Sequence, residues 1–88
     1  MNRLPDRAHA ELSRLLKEAR KTARMTQQQT AAALDRPQSF VSKYEKGERQ
    51  LNVIEFIEIC LVLGCDPRTI VDTLAELRPA KTRGWWAS

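Results

Sequence analysis

The sequence has few of the residues from which catalytic and metal sites are built. It contains one histidine, two cysteines and three glycines among 88 residues. His9 is far along the chain from Cys60 and Cys65, so the three do not follow the spacing of a metal-ligand set. There is also no nucleophile motif and no glycine-rich loop beside clustered carboxylates, so we expect neither an enzyme nor a bound cofactor. The cysteines are expected to be reduced, small apolar residues of the core.

Long apolar runs are also missing. No stretch approaches the roughly 18 apolar residues that cross a membrane, and residues 1–6 are polar where a signal peptide would be apolar. We therefore expect a cytoplasmic protein with no membrane partner. The sequence does have a modest excess of positive charge, with 15 Lys and Arg residues against 11 Asp and Glu residues. This balance suits a polyanionic partner, although ribosomal and membrane-surface proteins share it.

Apolar periodicity and helix-capping residues predict an all-α chain of five short helices, packed as one compact bundle over residues 1–78. Residues 79–88, which include Trp85 and Trp86, show no periodicity and are expected to be a tail. The predicted helices run from an Asp6 cap to about Ala23, from Gln27 to Leu34, from near Pro37 to Lys46, from Val53 to Leu63, and from the Asp66–Pro67 pair to about Leu77 or Arg78.

The second and third predicted helices are joined by only about three residues, and Gly47 follows the third. This arrangement is typical of a helix-turn-helix, in which the second helix of the pair lies in the DNA major groove. One side of that helix is polar, and the other carries Val41 and Tyr44, which would hold it on the core. Phe40 has two interpretations, packing into the domain or contact with a thymine methyl group. The polar side consists of Gln38, Ser39, Ser42, Lys43 and Lys46.

From Leu16 to Val71 the chain resembles the phage repressor and Cro-like family, also called XRE-type helix-turn-helix proteins. The most specific stretch is Gln38–Gly47, and Thr26–Gln27 stands eleven residues ahead of its start. The resemblance covers about two-thirds of the chain and implies a lambda-repressor-like DNA-binding domain. The other matching stretches are Leu16–Arg20 and Ile59–Asp66.

The resemblance also implies a role for individual residues. Arg20 and Glu45 match a largely buried ion pair of structural importance. Gln27 matches a glutamine that bonds a phosphate and braces the glutamine at the start of the recognition helix, here Gln38. The resemblance implies base contacts by Gln38, Ser39 and Lys43, and Ser42, on the same polar side of the helix, is predicted to be a fourth. It implies phosphate contacts by Gln27, Lys46 and Arg49, and Arg24 is predicted to be a further one.

The fourth helix has more apolar residues than one buried face can use. Val53, Phe56, Cys60 and Leu63 are expected to form its inward stripe. The surplus predicts a partner surface, and relatives often form dimers through this helix and the next. A core in which the first helix or the tail covers the surplus is the alternative. The predicted dimer residues are Ile54, Ile57, Leu61, Val62, Val71, Trp85 and Trp86.

Together these features predict a transcriptional regulator, in the form of a homodimeric repressor or autoregulator that binds double-stranded DNA at an inverted-repeat operator. Stand-alone regulators of this kind resemble those of bacteria, phages and mobile elements, which is an analogy from the fold alone. The alternative is an antitoxin or anti-activator whose main partner is another protein. An enzyme fits the sequence far less well because no catalytic motif is present. A membrane-surface protein also fits less well, because the basic residues are spread over several helices.

Overall fold

The computed structural model describes residue 4 and residues 6–78. Within them the chain forms five helices and no strand, so the predicted all-α fold is confirmed. No helix in this part of the chain has the length and apolarity needed to span a membrane. The expected tail at 79–88 lies outside the described residues. The helices are α1 (Arg7–Thr22), α2 (Gln27–Ala33), α3 (Gln38–Glu45), α4 (Val53–Leu63) and α5 (Pro67–Ala75).

Side-chain caps fix the starts of α2, α4 and α5. The Thr26 hydroxyl accepts the Gln29 backbone N–H, and the Gln29 side chain accepts the Thr26 N–H, which completes a capping box. Asn52 caps α4 in the same way, and Asp66 accepts the backbone N–H of Arg68. The expected cap at Asp6 is wrong. Its backbone is already helical, at φ −57° and ψ −30°, and its side chain makes no capping bond, whereas a capping residue needs an extended backbone.

The first four helices end in the same turn. Just after each of these helices, one residue adopts positive φ. The backbone N–H of the next residue then donates to the carbonyl oxygen of the residue five positions before it in the chain. Glycine adopts this conformation without steric cost, as Gly47 and Gly64 do. Arg24 and Asp35 adopt it as well, at φ 58° and 56°, and they set the short turns on either side of α2.

The core lies where α1 crosses α3, α4 and α5. Leu16, Val41, Tyr44 and Ile59 are almost completely buried. Phe40 is also buried and packs edge-on against the Tyr44 ring, with 5.5 Å between ring centroids, so of its two interpretations the packing one holds. Cys60 is buried and unpaired, and burial raises the pKa of its thiol to about 12.

The inward stripe of α4 differs from the prediction at one position. Val53, expected in the core, is 65% exposed, while Ile59 is fully buried. Val53 is the first residue of α4 and borders open grooves beside α5. Phe56, Cys60 and Leu63 are buried as expected. The α4 face toward the core therefore begins one turn later than the sequence suggested.

Candidate nucleic-acid interface

The polar residues of α3 form a continuous exposed face. Successive residues of a helix are about 100° apart around its axis. Around the axis of α3, Gln38 is therefore followed in angular order by Ser42, Lys46, Ser39 and Lys43, and then by Phe40. Ser42 is half-buried, and the other four polar residues are exposed. The side of α3 that faces the domain carries the remaining residues, Tyr44, Val41 and Glu45. The helix thus presents hydroxyl, amide and ammonium groups outward, the groups that hydrogen-bond base edges in the major groove.

A chain of polar contacts connects α1 to the first residue of α3. The Arg20 guanidinium donates to both carboxylate oxygens of Glu45, at 2.7 and 3.1 Å. Gln27 Nε2 donates to Glu45 Oε1 at 2.9 Å. Gln38 Nε2 then donates to Gln27 Oε1 over a long 3.5 Å. Since the Arg20 and Glu45 side chains are only 12% and 3% exposed, this chain is anchored in the interior and ends at the surface.

This arrangement leaves Gln38 able to read a base. A glutamine amide has two N–H donors and an acceptor oxygen. One donor is directed to Gln27, so a second donor and the oxygen remain. A bidentate contact to adenine requires one donor and one acceptor. The contact with Gln27 therefore orients Gln38 without using the groups that recognition needs.

The predicted phosphate contacts surround this face. Arg24 is exposed in the turn that leads into α2, beside Thr26 and Gln27. Lys46 is exposed at the end of α3. Arg49 is 40% exposed, but its guanidinium also donates to Glu55 Oε2 at 2.7 Å. The helix starts at Gln38 with no side-chain cap, because Pro37 occupies the capping position.

Glu55 is a buried carboxylate that was not among the predicted site residues. This carboxylate lies in the first turn of α4 with its side chain 7% exposed, and it pairs with both Arg36 and Arg49. Its other oxygen accepts the backbone N–H of Asn52 at 3.0 Å. The Asn-x-x-Glu capping box at 52–55 could have indicated Glu55, but the two arginine partners are contacts of the folded chain. Glu55 joins the turn before α3, the loop after it, and α4.

The pKa of Glu55 is held below the usual 4.5, first by the backbone N–H of Asn52 and then by the two arginines, against the opposing effect of burial. A carboxylate whose pKa is lower in the folded chain than in the unfolded chain stabilises the fold when the pH is above its unfolded-state pKa. This stabilisation is lost as the pH falls through the folded-state pKa.

We therefore expect the melting temperature to fall as the pH drops below the usual carboxyl pKa of 4.5, and to fall less steeply in Glu55→Gln, which has no carboxylate to protonate. Thermal melts at several pH values measure this. The control is Glu58→Gln, at an exposed carboxylate of the same helix, and its pH profile should match that of the wild type. If the Glu55→Gln profile also matched, Glu55 would not be a source of the acid sensitivity.

A second surface lies away from α3 and is apolar. Ile54, Ile57 and Leu61 follow one face of α4 and are 63%, 37% and 72% exposed. Val71 of α5, 51% exposed, lies across an open groove from Ile57. Val62, predicted to belong to the same surface, is half-buried and packs against the core. Trp85 and Trp86 lie outside the described residues.

Comparison with known proteins agrees with this geometry. The family model described as helix-turn-helix matches residues 16–70. The structure of an XRE-family like protein from Pseudomonas syringae pv. tomato str. DC3000 is 47% identical, with a TM-score of 0.75, over 82% of this chain and 88% of that one. No curated protein is similar enough to be matched by sequence. The chain therefore belongs to the XRE-type helix-turn-helix family, whose members are DNA-binding transcription regulators.

Two further solved structures are similar in fold. The restriction-modification controller protein C.AhdI from Aeromonas hydrophila is 21% identical, with a TM-score of 0.65, over 69% of this chain and 92% of that one. Apo-HppE is 25% identical with the same TM-score, but the match covers 70% of this chain and only 35% of that one. The second likeness is thus confined to about a third of the larger protein.

Proposed function

We propose that the domain formed by residues 1–78 is a dimeric repressor that binds an inverted-repeat operator through α3 in the major groove. The observation that carries the proposal is the braced Gln38 at the edge of an exposed polar helix face. The long contact with Gln27 restricts the orientations of Gln38, and a restricted side chain loses less conformational freedom when it binds a base. A merely solvated helix face has no need of such a brace.

The residues divide into base readers and phosphate contacts. The readers lie on the outward face of α3, which would meet the base edges if α3 entered the major groove. The phosphate contacts lie at the start of α2 and around the exit of α3, where the flanking backbones would pass. We assign Gln38, Ser39, Ser42 and Lys43 to bases, and Gln27, Arg24, Lys46 and Arg49 to phosphates.

The dimer in this proposal uses the apolar surface of Ile54, Ile57, Leu61 and Val71. Exposed apolar residues that adjoin one another favour a partner, and a two-fold pair buries the same surface on both chains. Two copies of α3 about 34 Å apart would then reach half-sites one helical turn apart. A dimer seated on such an operator covers the DNA beneath it. Repression follows where the operator overlaps a promoter, and autoregulation follows where that promoter is its own.

Selection of bound sites from a random DNA pool tests the proposal, with the stoichiometry of the best complex measured alongside. We expect an inverted repeat bound by two chains. At that site, Gln38→Ala and Lys43→Ala should each cost about 1–3 kcal/mol and relax the preference at one base pair. The matched control for the lysine is Lys17→Ala, at an exposed position of α1, which should keep the wild-type preference. Failure to enrich any sequence at moderate salt would reject the proposed function.

A further inference from the structure

Two arginines that are distant in sequence come together beside α3. Arg36 precedes the helix and Arg49 follows it, yet both guanidiniums lie over the ring of Phe40. Their central carbons are 4.6 and 5.3 Å from the ring centroid. Both also donate to the same oxygen of Glu55, Arg36 at 3.3 Å and Arg49 at 2.7 Å. Cation–π contact and a buried carboxylate thus hold the two cations in place.

This cluster lies at the opposite edge of the polar face from Gln27. Around the axis of α3, Gln38 and Glu45 are adjacent in angle, and both contact Gln27. Phe40 comes about 200° after Gln38, beyond Ser42, Lys46, Ser39 and Lys43. The polar face is therefore bounded by Gln27 on one side and by the arginine cluster on the other.

The arginines can bind an anion in this position. Their side chains are 41% and 40% exposed, and a guanidinium has several N–H donors in a fork that fits a phosphate. One buried carboxylate serves both cations, so the group of three keeps a net positive charge. Glu58 borders the pocket beside Arg36 and Phe40, but it is exposed, where solvent and salt screen its charge.

We propose that Arg36 and Arg49 form a second phosphate clamp, opposite Gln27, with Phe40 and Glu55 as positioning residues. The major groove is about 12 Å wide, and a helix with its side chains about fills it. Both edges of the α3 polar face then meet a DNA backbone, one on each strand. The clamp rests on the proposed function and adds Arg36, Phe40 and Glu55 to the binding machinery. The opposing explanation is that the cluster only ties α4 to the turn before α3.

Salt dependence of binding separates the two explanations, because a structural tie does not contribute to counterion release. The probes are the duplex selected by the wild type and a scrambled duplex of equal length, titrated by fluorescence anisotropy between low and moderate salt. For Arg36→Ala we expect the slope of log affinity against log salt to become shallower by about 0.9 per bound chain, on both duplexes. Arg14→Ala removes the same charge from an exposed site on α1 that pairs with Glu11, and it should leave the slope unchanged.

Two further variants test the clamp. Arg36→Lys keeps the positive charge but loses the planar fork of the guanidinium. It should therefore have the wild-type salt dependence that Arg36→Ala lacks, while binding DNA more weakly than the wild type. Glu55→Gln removes a negative charge near the DNA. If only the loss of negative charge mattered, Glu55→Gln would bind DNA more tightly. We expect it to bind more weakly, because Glu55 positions the two arginines. A wild-type slope in Arg36→Ala, or tighter binding by Glu55→Gln, would overturn the clamp. A wild type that binds neither duplex would overturn the proposed function itself.

Discussion

Replacement of Glu45 by alanine is expected to lower the free energy of unfolding by about 3–5 kcal/mol, because it leaves the largely buried charge of Arg20 without its carboxylate partner. Glu45 accepts three hydrogen bonds, two from Arg20 and one from Gln27, and its side chain is 3% exposed. A whole domain has only about 5–15 kcal/mol of stability. Such a loss would remove much of the stability of a small domain, so the variant should unfold at a much lower urea concentration than the wild type and should bind DNA only while it remains folded.

Urea denaturation followed by circular dichroism measures this loss. The matched control is Glu11→Ala, which breaks the ion pair with Arg14 on the surface of α1, and it should cost far less stability than Glu45→Ala because an exposed ion pair is screened by solvent. Glu45→Gln keeps a hydrogen-bond acceptor without the charge and should lie between the two. If Glu45→Ala were as stable as Glu11→Ala, the pair between α1 and α3 would have no special structural role.

Much of the fold could be predicted because its boundaries are set by local chemistry. Thr26, Asn52 and Asp66 are good capping residues and each starts a helix, while Gly47 and Gly64 end helices in the conformation that glycine favours. Such preferences act within a few residues, so a single sequence contains them. Thr26 and Gly47 mark the two ends of the helix-turn-helix, and Pro37 marks the start of its second helix.

Other features depend on tertiary contacts and could not be predicted in this way. Apart from Glu55 and Glu58, every residue of α4 is apolar, so the pattern did not favour Ile59 over Val53 as the buried residue. Asp35 adopts positive φ in a turn where glycine is more common, and nothing in its neighbours indicated this.

The arginine cluster was missed for a related reason. Arg36 and Glu55 are 19 residues apart, and in the sequence both look like ordinary exposed charges until the fold brings the first turn of α4 beside Arg36. By contrast, resemblance to the family suggested Arg20 with Glu45, and Gln27 with Gln38, before any geometry was known. Family patterns thus supplied contacts that a single sequence does not reveal, and they did so only where this chain matches the pattern.

Replacement of Leu61 by aspartate is expected to abolish the dimer and to weaken operator binding by about 10²–10⁴-fold. When one subunit of a dimer is bound to its half-site, the other subunit is held close to the second half-site at a high effective concentration. A monomer has no linked second subunit and therefore binds the operator more weakly. Leu61 is 72% exposed, so the substitution should cost the monomer only about 1 kcal/mol, from the lower helix propensity of aspartate and its negative charge in the last turn of α4. In the dimer it would place two unpaired carboxylates at an interface that excludes water.

Sedimentation equilibrium and operator titration together test this expectation. The control is Ala10→Asp, which adds the same charge at an exposed position of α1 and so reproduces any general repulsion from DNA. It should remain dimeric and bind close to the wild-type level. Leu61→Asp should still bind a single half-site as tightly as Ala10→Asp, because α3 and its brace are untouched. A Leu61→Asp protein that remained dimeric would show that the interface lies elsewhere, and the exposed apolar residues of α4 would then need another explanation.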